Sequence, residues 1–159
     1  MKITIVAVGK IKEKFYQQAI DEFLKRLSKY CKVEIIEVAD EKTPEHAKDT
    51  ILNQIKDVEG ERILRHLKKD SYLIALAIEG KMLDSEGMAE KIEALGVSGQ
   101  SHIAFVIGGS LGISDAVKRQ ADLLLSFSKM TFPHQLMRVI LLEQVYRSFR
   151  IIKREPYHK

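Results

Sequence analysis

The chain has one cysteine, Cys31, among 159 residues. That excludes an internal disulfide and any multi-cysteine zinc site, and it suits a reducing cytoplasm in which Cys31 is a buried bystander thiol. Long apolar runs are missing too. The longest, such as Tyr72–Ile78, reach about seven residues, far short of the ~20 needed to cross a bilayer. The opening MKITIVAVGK enters strand-like sequence directly and has no cleavage-site pattern, so no secretory signal is expected. Several catalytic signatures are absent as well. There is no GxxxxGK[ST] phosphate loop, since Gly80-Lys81 is followed by Met82 and lacks the upstream glycine. There is no GxSxG nucleophile turn. The histidines (His46, His66, His102, His134, His158) are scattered without ligand spacing, so no metal site is expected.

What is present describes one soluble globular domain. Hydrophobic residues make up 45% and charged residues 30%, ordinary for such a protein. A chain of this length buries roughly 70% of its unfolded surface. The net charge of +4 is distributed unevenly. Residues 1–117 carry 17 Lys/Arg against 19 Asp/Glu, whereas residues 118–159 carry 9 against 3. The basic end suits a polyanion such as RNA, and a solvated helix face without a partner accounts for the charge equally well.

Apolar periodicity alternates between the two regular elements. Continuous or alternating apolar runs predict strands at Lys2–Val8, Val33–Val38, Tyr72–Ile78, Ile103–Ile107 and Leu123–Leu125. Between them, helical spacing predicts a helix over 12–30 with Phe15, Ala19, Ile20, Phe23, Leu24 and Leu27 inward. A second, over 45–68, buries Ile51, Ile55, Val58, Ile63 and Leu67. A third begins at a Ser85 cap with Met88, Ala89, Ile92 and Leu95 inward, and a short one begins near Ser114. The last runs from Pro133 to Ile152, with Leu136, Met137, Ile140, Leu141, Val145 and Phe149 as its buried stripe. Without repeats or linkers, 1–159 reads as one α/β domain with a mostly parallel sheet.

Two of these strands end in unusual loops. Ile103–Ile107 is followed by Gly108-Gly109-Ser110-Leu111-Gly112, and Leu123–Leu125 by Ser126 through His134, rich in small and polar residues. Loops at strand ends of an open α/β sheet are where ligands bind, so the pair predicts a shared pocket. GGSLG is not GxGxxG, which argues against a dinucleotide site and leaves a backbone-rich pocket able to wrap an uncharged or cationic ligand such as an adenosyl group.

Gly108-Gly109-Ser110, the run Leu125 to Gln135 (LSFSKMTFPHQ), Arg138, Glu143 to Arg147 (EQVYR) and Pro156-Tyr157-His158 together resemble the RlmH family. These are SPOUT-class methyltransferases of bacterial large-subunit ribosomal RNA, and the likeness spans essentially the whole chain. It implies an α/β fold with a C-terminal trefoil knot, which no sequence pattern predicts. It also implies a homodimer that uses S-adenosylmethionine to methylate N3 of a pseudouridine in a 23S rRNA stem-loop, without metal or membrane. Cofactor-contacting positions would be Leu76, Gly108 and the run Phe127, Ser128, Lys129, Met130, Thr131 and Phe132. Catalysis and substrate binding would fall to His134, Arg147, Tyr157 and His158.

The chemistry suits these residue types. An activated methyl group mainly needs positioning against its acceptor, and glycines leave room for a ligand close to backbone. Arg147, Arg150, Lys153 and Arg154 are spaced to contact phosphates. Tyr157 offers a ring for stacking and His158 a proton acceptor. Plainer roles stay open: Phe127, Met130 and Phe132 as core fillers, His134 as a helix-start residue, Glu143 as an i,i+4 partner of Arg147, and the final residues as a frayed end.

Overall fold

The alternation of side chains along a strand decides which layer each residue joins. In the computed structural model, covering residues 1–159, five strands form one parallel sheet: β1 (Lys2–Val8), β2 (Lys32–Val38), β3 (Tyr72–Met82), β4 (His102–Ile107) and β5 (Leu123–Ser126). Their order is β2-β1-β4-β3-β5. Ile3, Ile5 and Ala7 of β1, with Ile103, Phe105 and Ile107 of β4, face one layer. Val6 and Val8, with Ala104 and Val106, face the other. Burial on both sides explains why these strands read as unbroken apolar runs.

Helices α1 (Lys14–Leu27), α3 (Ser85–Val97) and α5 (His134–Ile152) cover the first face, α1 and α3 each packing on α5. Helices α2 (Asp49–Leu64) and α4 (Asp115–Gln120) cover the second. Side chains such as Phe105, Ile3 and Leu141 are fully buried, each worth roughly 1.5–3 kcal/mol of transfer free energy.

Several expectations need correction. Phe15, Ile51 and Val58 are exposed rather than inward, because α1 and α2 each press only a narrow stripe on the sheet. The cap of α3 is Asp84, whose carboxylate accepts the Gly87 N–H at 2.7 Å; Ser85 instead donates to Gln144 Oε1 of α5. Leu136 and Ile140 of α5 are only partly buried, which leaves an apolar strip on that helix.

The strand β3 is longer than its apolar run suggests, and this shapes the site. Leu125 of β5 pairs with both Leu76 and Lys81, so residues 77–80 loop out of the ladder between them. The returning chain crosses β5 closely. A Cβ on Gly80 would lie 2.6 Å from the backbone carbon and oxygen of Leu124.

Candidate active site

The ends of β3, β4 and β5 open onto a cavity of about 640 Å³, within the range of small-ligand pockets. Its floor is apolar, with Leu76, Ile107, Ile113 and Leu125. Its walls are three loops: residues 77–79, the glycine loop 108–112, and 126–134. The last loop holds its bend through its own serines. Ser126 Oγ donates to the Ser128 carbonyl at 3.0 Å, and Ser128 Oγ accepts the Met130 N–H at 3.0 Å. Phe127 and Phe132 line the cavity while packing on the core behind it.

Leu76, Gly108, Phe127, Ser128, Met130, Thr131 and Phe132 all border this space. Lys129 does not; it is exposed outside the wall. A Cβ at Gly108 would lie 2.8 Å from the Gly112 carbonyl group, so glycine there lets the loop close on itself. At the α4 side of the mouth, Lys118 pairs with Glu79 and holds its carboxyl below the usual range.

His134 opens α5 and borders the same cavity, just beyond its Pro133 N-cap. Gly9 packs against it. Its φ of +91° is a left-handed conformation that favours glycine. A Cβ at Gly9 would be 3.2 Å from His134 Nε2. One turn on, the fully buried Arg138 bonds Glu37 at 2.5 Å and the Gly9 carbonyl at 2.6 Å, fixing this turn. Burial, with the Arg138 cation second, lowers the His134 pKa below the ordinary 6.5, so the ring is neutral at pH 7. Sequence reasoning missed the Gly9–Arg138–Glu37 bracket as a unit; its traces were a glycine directly after the first strand and Arg138 among the motif residues.

The other three expected residues lie elsewhere. Arg147, Tyr157 and His158 border no part of the cavity. Arg147 stands thirteen residues after His134 on α5, about 20 Å along the helix axis at ~1.5 Å per residue. There Glu143 Oε1 accepts from Arg147 Nε at 3.0 Å and Nη2 at 2.5 Å, and from the Tyr157 hydroxyl at 3.0 Å. Arg147 Nη1 lies 3.1 Å from His158 Nδ1. The Tyr157 ring is not free for stacking. Tyr146 meets it edge-on at 4.9 Å and the Arg147 guanidinium sits 4.7 Å from its centre.

The final residues are pinned, not frayed. Arg150 donates to Tyr30 Oη at 3.0 Å and to the Pro156 carbonyl at 2.7 Å, and pairs with Glu155. Tyr30 Oη donates to Glu155 Oε2 at 2.8 Å, while its ring stacks on Phe149 at 5.6 Å. Arg150 is therefore structural, not a free phosphate contact, whereas Lys153 and Arg154 are exposed. Cys31 is buried, and burial pushes its thiol up to about 11, so it is unreactive. No cluster of three or more metal-ligating side chains exists, and no helix is long and apolar enough to cross a membrane.

A doubly covered parallel sheet whose strand-end loops enclose a ligand-sized cavity matches the family model described as predicted SPOUT methyltransferase over residues 1–158, and the chain belongs to that family. It is an enzyme of methyl transfer. Its relatives narrow the class. The chain is 63% identical over 159 residues, all of both chains, to ribosomal RNA large subunit methyltransferase H of Bifidobacterium adolescentis. It is 62% identical, again over both full lengths, to the protein of that name from Bifidobacterium animalis subsp. lactis. The same identity over full length relates it to a putative ribosomal RNA large subunit methyltransferase H of Methanococcus maripaludis. A solved structure of a probable methylase family protein from Haemophilus influenzae shares the fold at a TM-score of 0.57, with 13% identity over 99% of this chain and 70% of that one.

Proposed function

We propose that this methyltransferase takes its methyl group from S-adenosylmethionine and delivers it to N3 of a pseudouridine in a 23S rRNA stem-loop, acting as a cytoplasmic homodimer. The cofactor reading is supported by the cavity. Leu76, Gly108 and the 127–132 loop enclose it, its loop walls offer backbone groups to a nucleoside, and its floor is apolar. Gly112, with open space at its Cβ position and a φ of +88°, leaves further room beside the ligand. The cofactor would supply an activated methyl group. The protein's task is then to hold an acceptor nitrogen in line and manage its proton. The trefoil path of the family belongs to this reading.

One observation carries the dimer. His134 at the cavity and Arg147 in the cluster with Tyr157 and His158 sit about 20 Å apart along one rigid helix. No side chain spans that distance, so a single chain does not unite them. A two-fold pair with α5 against α5 would bring each cluster to the other chain's cavity. The half-buried strip of Leu136, Val139 and Ile140 suits such a contact. Exposed Lys153, Arg154 and Lys159 then flank the joint site and suit RNA phosphates.

The test is methyl transfer to ribosomes from a strain lacking the endogenous modification, with the product base identified by mass spectrometry. N3-methylpseudouridine is the expected product. Failure to bind S-adenosylmethionine in calorimetry, or methylation of a different base, overturns the proposal.

A further inference from the structure

Proton bookkeeping at the acceptor nitrogen follows from which lone pairs the structure leaves free. Within the Glu143–Arg147–Tyr157–His158 cluster, each carboxylate oxygen and the His158 Nδ1 already accepts a hydrogen bond. Glu143 Oε1 accepts three donors from Arg147 and Tyr157, and its Oε2 accepts Gln144 Nε2 at 2.8 Å. The Tyr157 hydroxyl donates to that carboxylate, and burial together with this bond keeps it a neutral phenol. An arginine has only donors. The 3.1 Å contact between Arg147 Nη1 and His158 Nδ1 therefore makes Nδ1 the acceptor. The proton of the neutral imidazole is then on Nε2, the nitrogen aimed away from Arg147. Its nearest carboxylate, on the exposed Glu86, stands 3.8 Å off, too far for a hydrogen bond. The cluster offers donors, not bases.

His134 is the reverse case. Among the histidine rings only those of His102 and His158 hydrogen-bond protein groups, so neither nitrogen of His134, a residue that borders the cavity with its Nε2 on the Gly9 side, has a protein partner. On the reading that one protomer's final residues meet the other's cavity, we infer that His134 accepts the N3 proton while His158 donates through Nε2 to a carbonyl flanking N3. This departs from the expectation that His158 is the proton acceptor.

The step balances. The N3–H bond breaks with its electron pair left on nitrogen, and that pair forms the N3–CH3 bond. The S–CH3 bond of the donor would break in the same step, its pair staying on sulfur in a neutral thioether that leaves. The proton ends on His134, and the positive charge that arrived with the activated methyl ends as imidazolium. As the imide loses its proton, negative charge spreads onto its two carbonyl oxygens. A donor fixed beforehand against one of them stabilises that charge without reorganisation. Arg147, itself held by Glu143, is the positioning residue that selects the His158 tautomer.

Two measurements test this. Nitrogen NMR of the ¹⁵N-histidine-labelled protein without ligand should show His158 with an unprotonated Nδ1 and a protonated Nε2 at neutral pH. The opposite tautomer there overturns the donor role. Single-turnover methylation of ribosomes then compares variants. His158→Gln places an amide near the Nε2 position and should stay within about tenfold of the wild type. His158→Asn reaches only the Nδ1 position and should fall with His158→Ala by roughly 10²-fold. Gln as inactive as Ala refutes the donor role. His134→Ala should lose roughly 10²–10⁴-fold, and a rate within threefold of the wild type refutes the base. Calorimetric S-adenosylmethionine binding is run on every variant. Lost binding in the wild type would strike the functional proposal, whereas intact binding with the wrong variant pattern strikes only this one.

Discussion

Two inactive variants should repair one another. In His134→Ala the cavity lacks its histidine but the Tyr157–His158 segment is intact. In a deletion of Tyr157–Lys159 the reverse holds. In the proposed dimer, with His134 and Arg147 about 20 Å apart along α5, each working site would take His134 from one chain and His158 from the other. When equal amounts exchange subunits, half the dimers are mixed. Each mixed dimer holds one site with both defects and one with neither. One site in four is then whole, so activity should return to about a quarter of the wild-type value per chain. If the final residues served their own chain's cavity, no site would ever be whole and activity would stay at the level of the parents. The assay is ribosome methylation after co-expression of differently tagged variants and isolation of the mixed dimer, which should show half the wild-type rate. Inactive mixed dimers with normal cofactor binding would refute the shared-site argument. The deletion also removes the Tyr157 contacts with Tyr146 and Glu143, so its melting temperature is measured first.

Four further outcomes follow from His134, Gly80 and Glu37. His134 has its folded pKa below the unfolded value of 6.5, so the unfolded state binds more protons in that window; stability should fall as pH drops through 6.5. The acid limb of kcat/KM should likewise lie below 6.5 and vanish in His134→Ala, which a pH–rate profile checks. Gly80→Ala should lower the melting temperature by several degrees, because its Cβ meets the Leu124 backbone at 2.6 Å and overpacking costs about 1–3 kcal/mol. Glu37→Ala leaves the buried Arg138 with only carbonyl partners; with Glu37 partly exposed, a loss of about 2 kcal/mol in urea unfolding is expected, and an unchanged midpoint would contradict it.

The layers of the fold were legible because strand alternation is a local signal. Ile3, Ile5 and Ala7 against Val6 and Val8 already name the two faces of the sheet. The cavity was legible in outline because both of its main loops follow apolar strands. The returning segment of β3 was not, since Lys81 and Met82 re-enter the ladder by pairing with Leu125 and Ser126, partners more than forty positions away. Phe15 and Val58 misled because helical spacing marks a face without saying how wide a stripe is covered. The division between His134 and the distant Arg147 cluster was invisible in one dimension. Motif residues that stand together in a pattern give no hint that a straight helix holds them apart.

The bonds that pin the chain's end have a thermodynamic consequence. Tyr30, Arg150 and Glu155 fix residues 155–158 before any substrate arrives. Ordering a free segment on binding would cost roughly 1–2 kcal/mol per residue in backbone entropy. Here that entropy is lost once, during folding, and offset by the Tyr30–Phe149 stack and the Arg150 bonds. RNA would thus meet a surface already shaped, and more of its contact energy would remain as affinity.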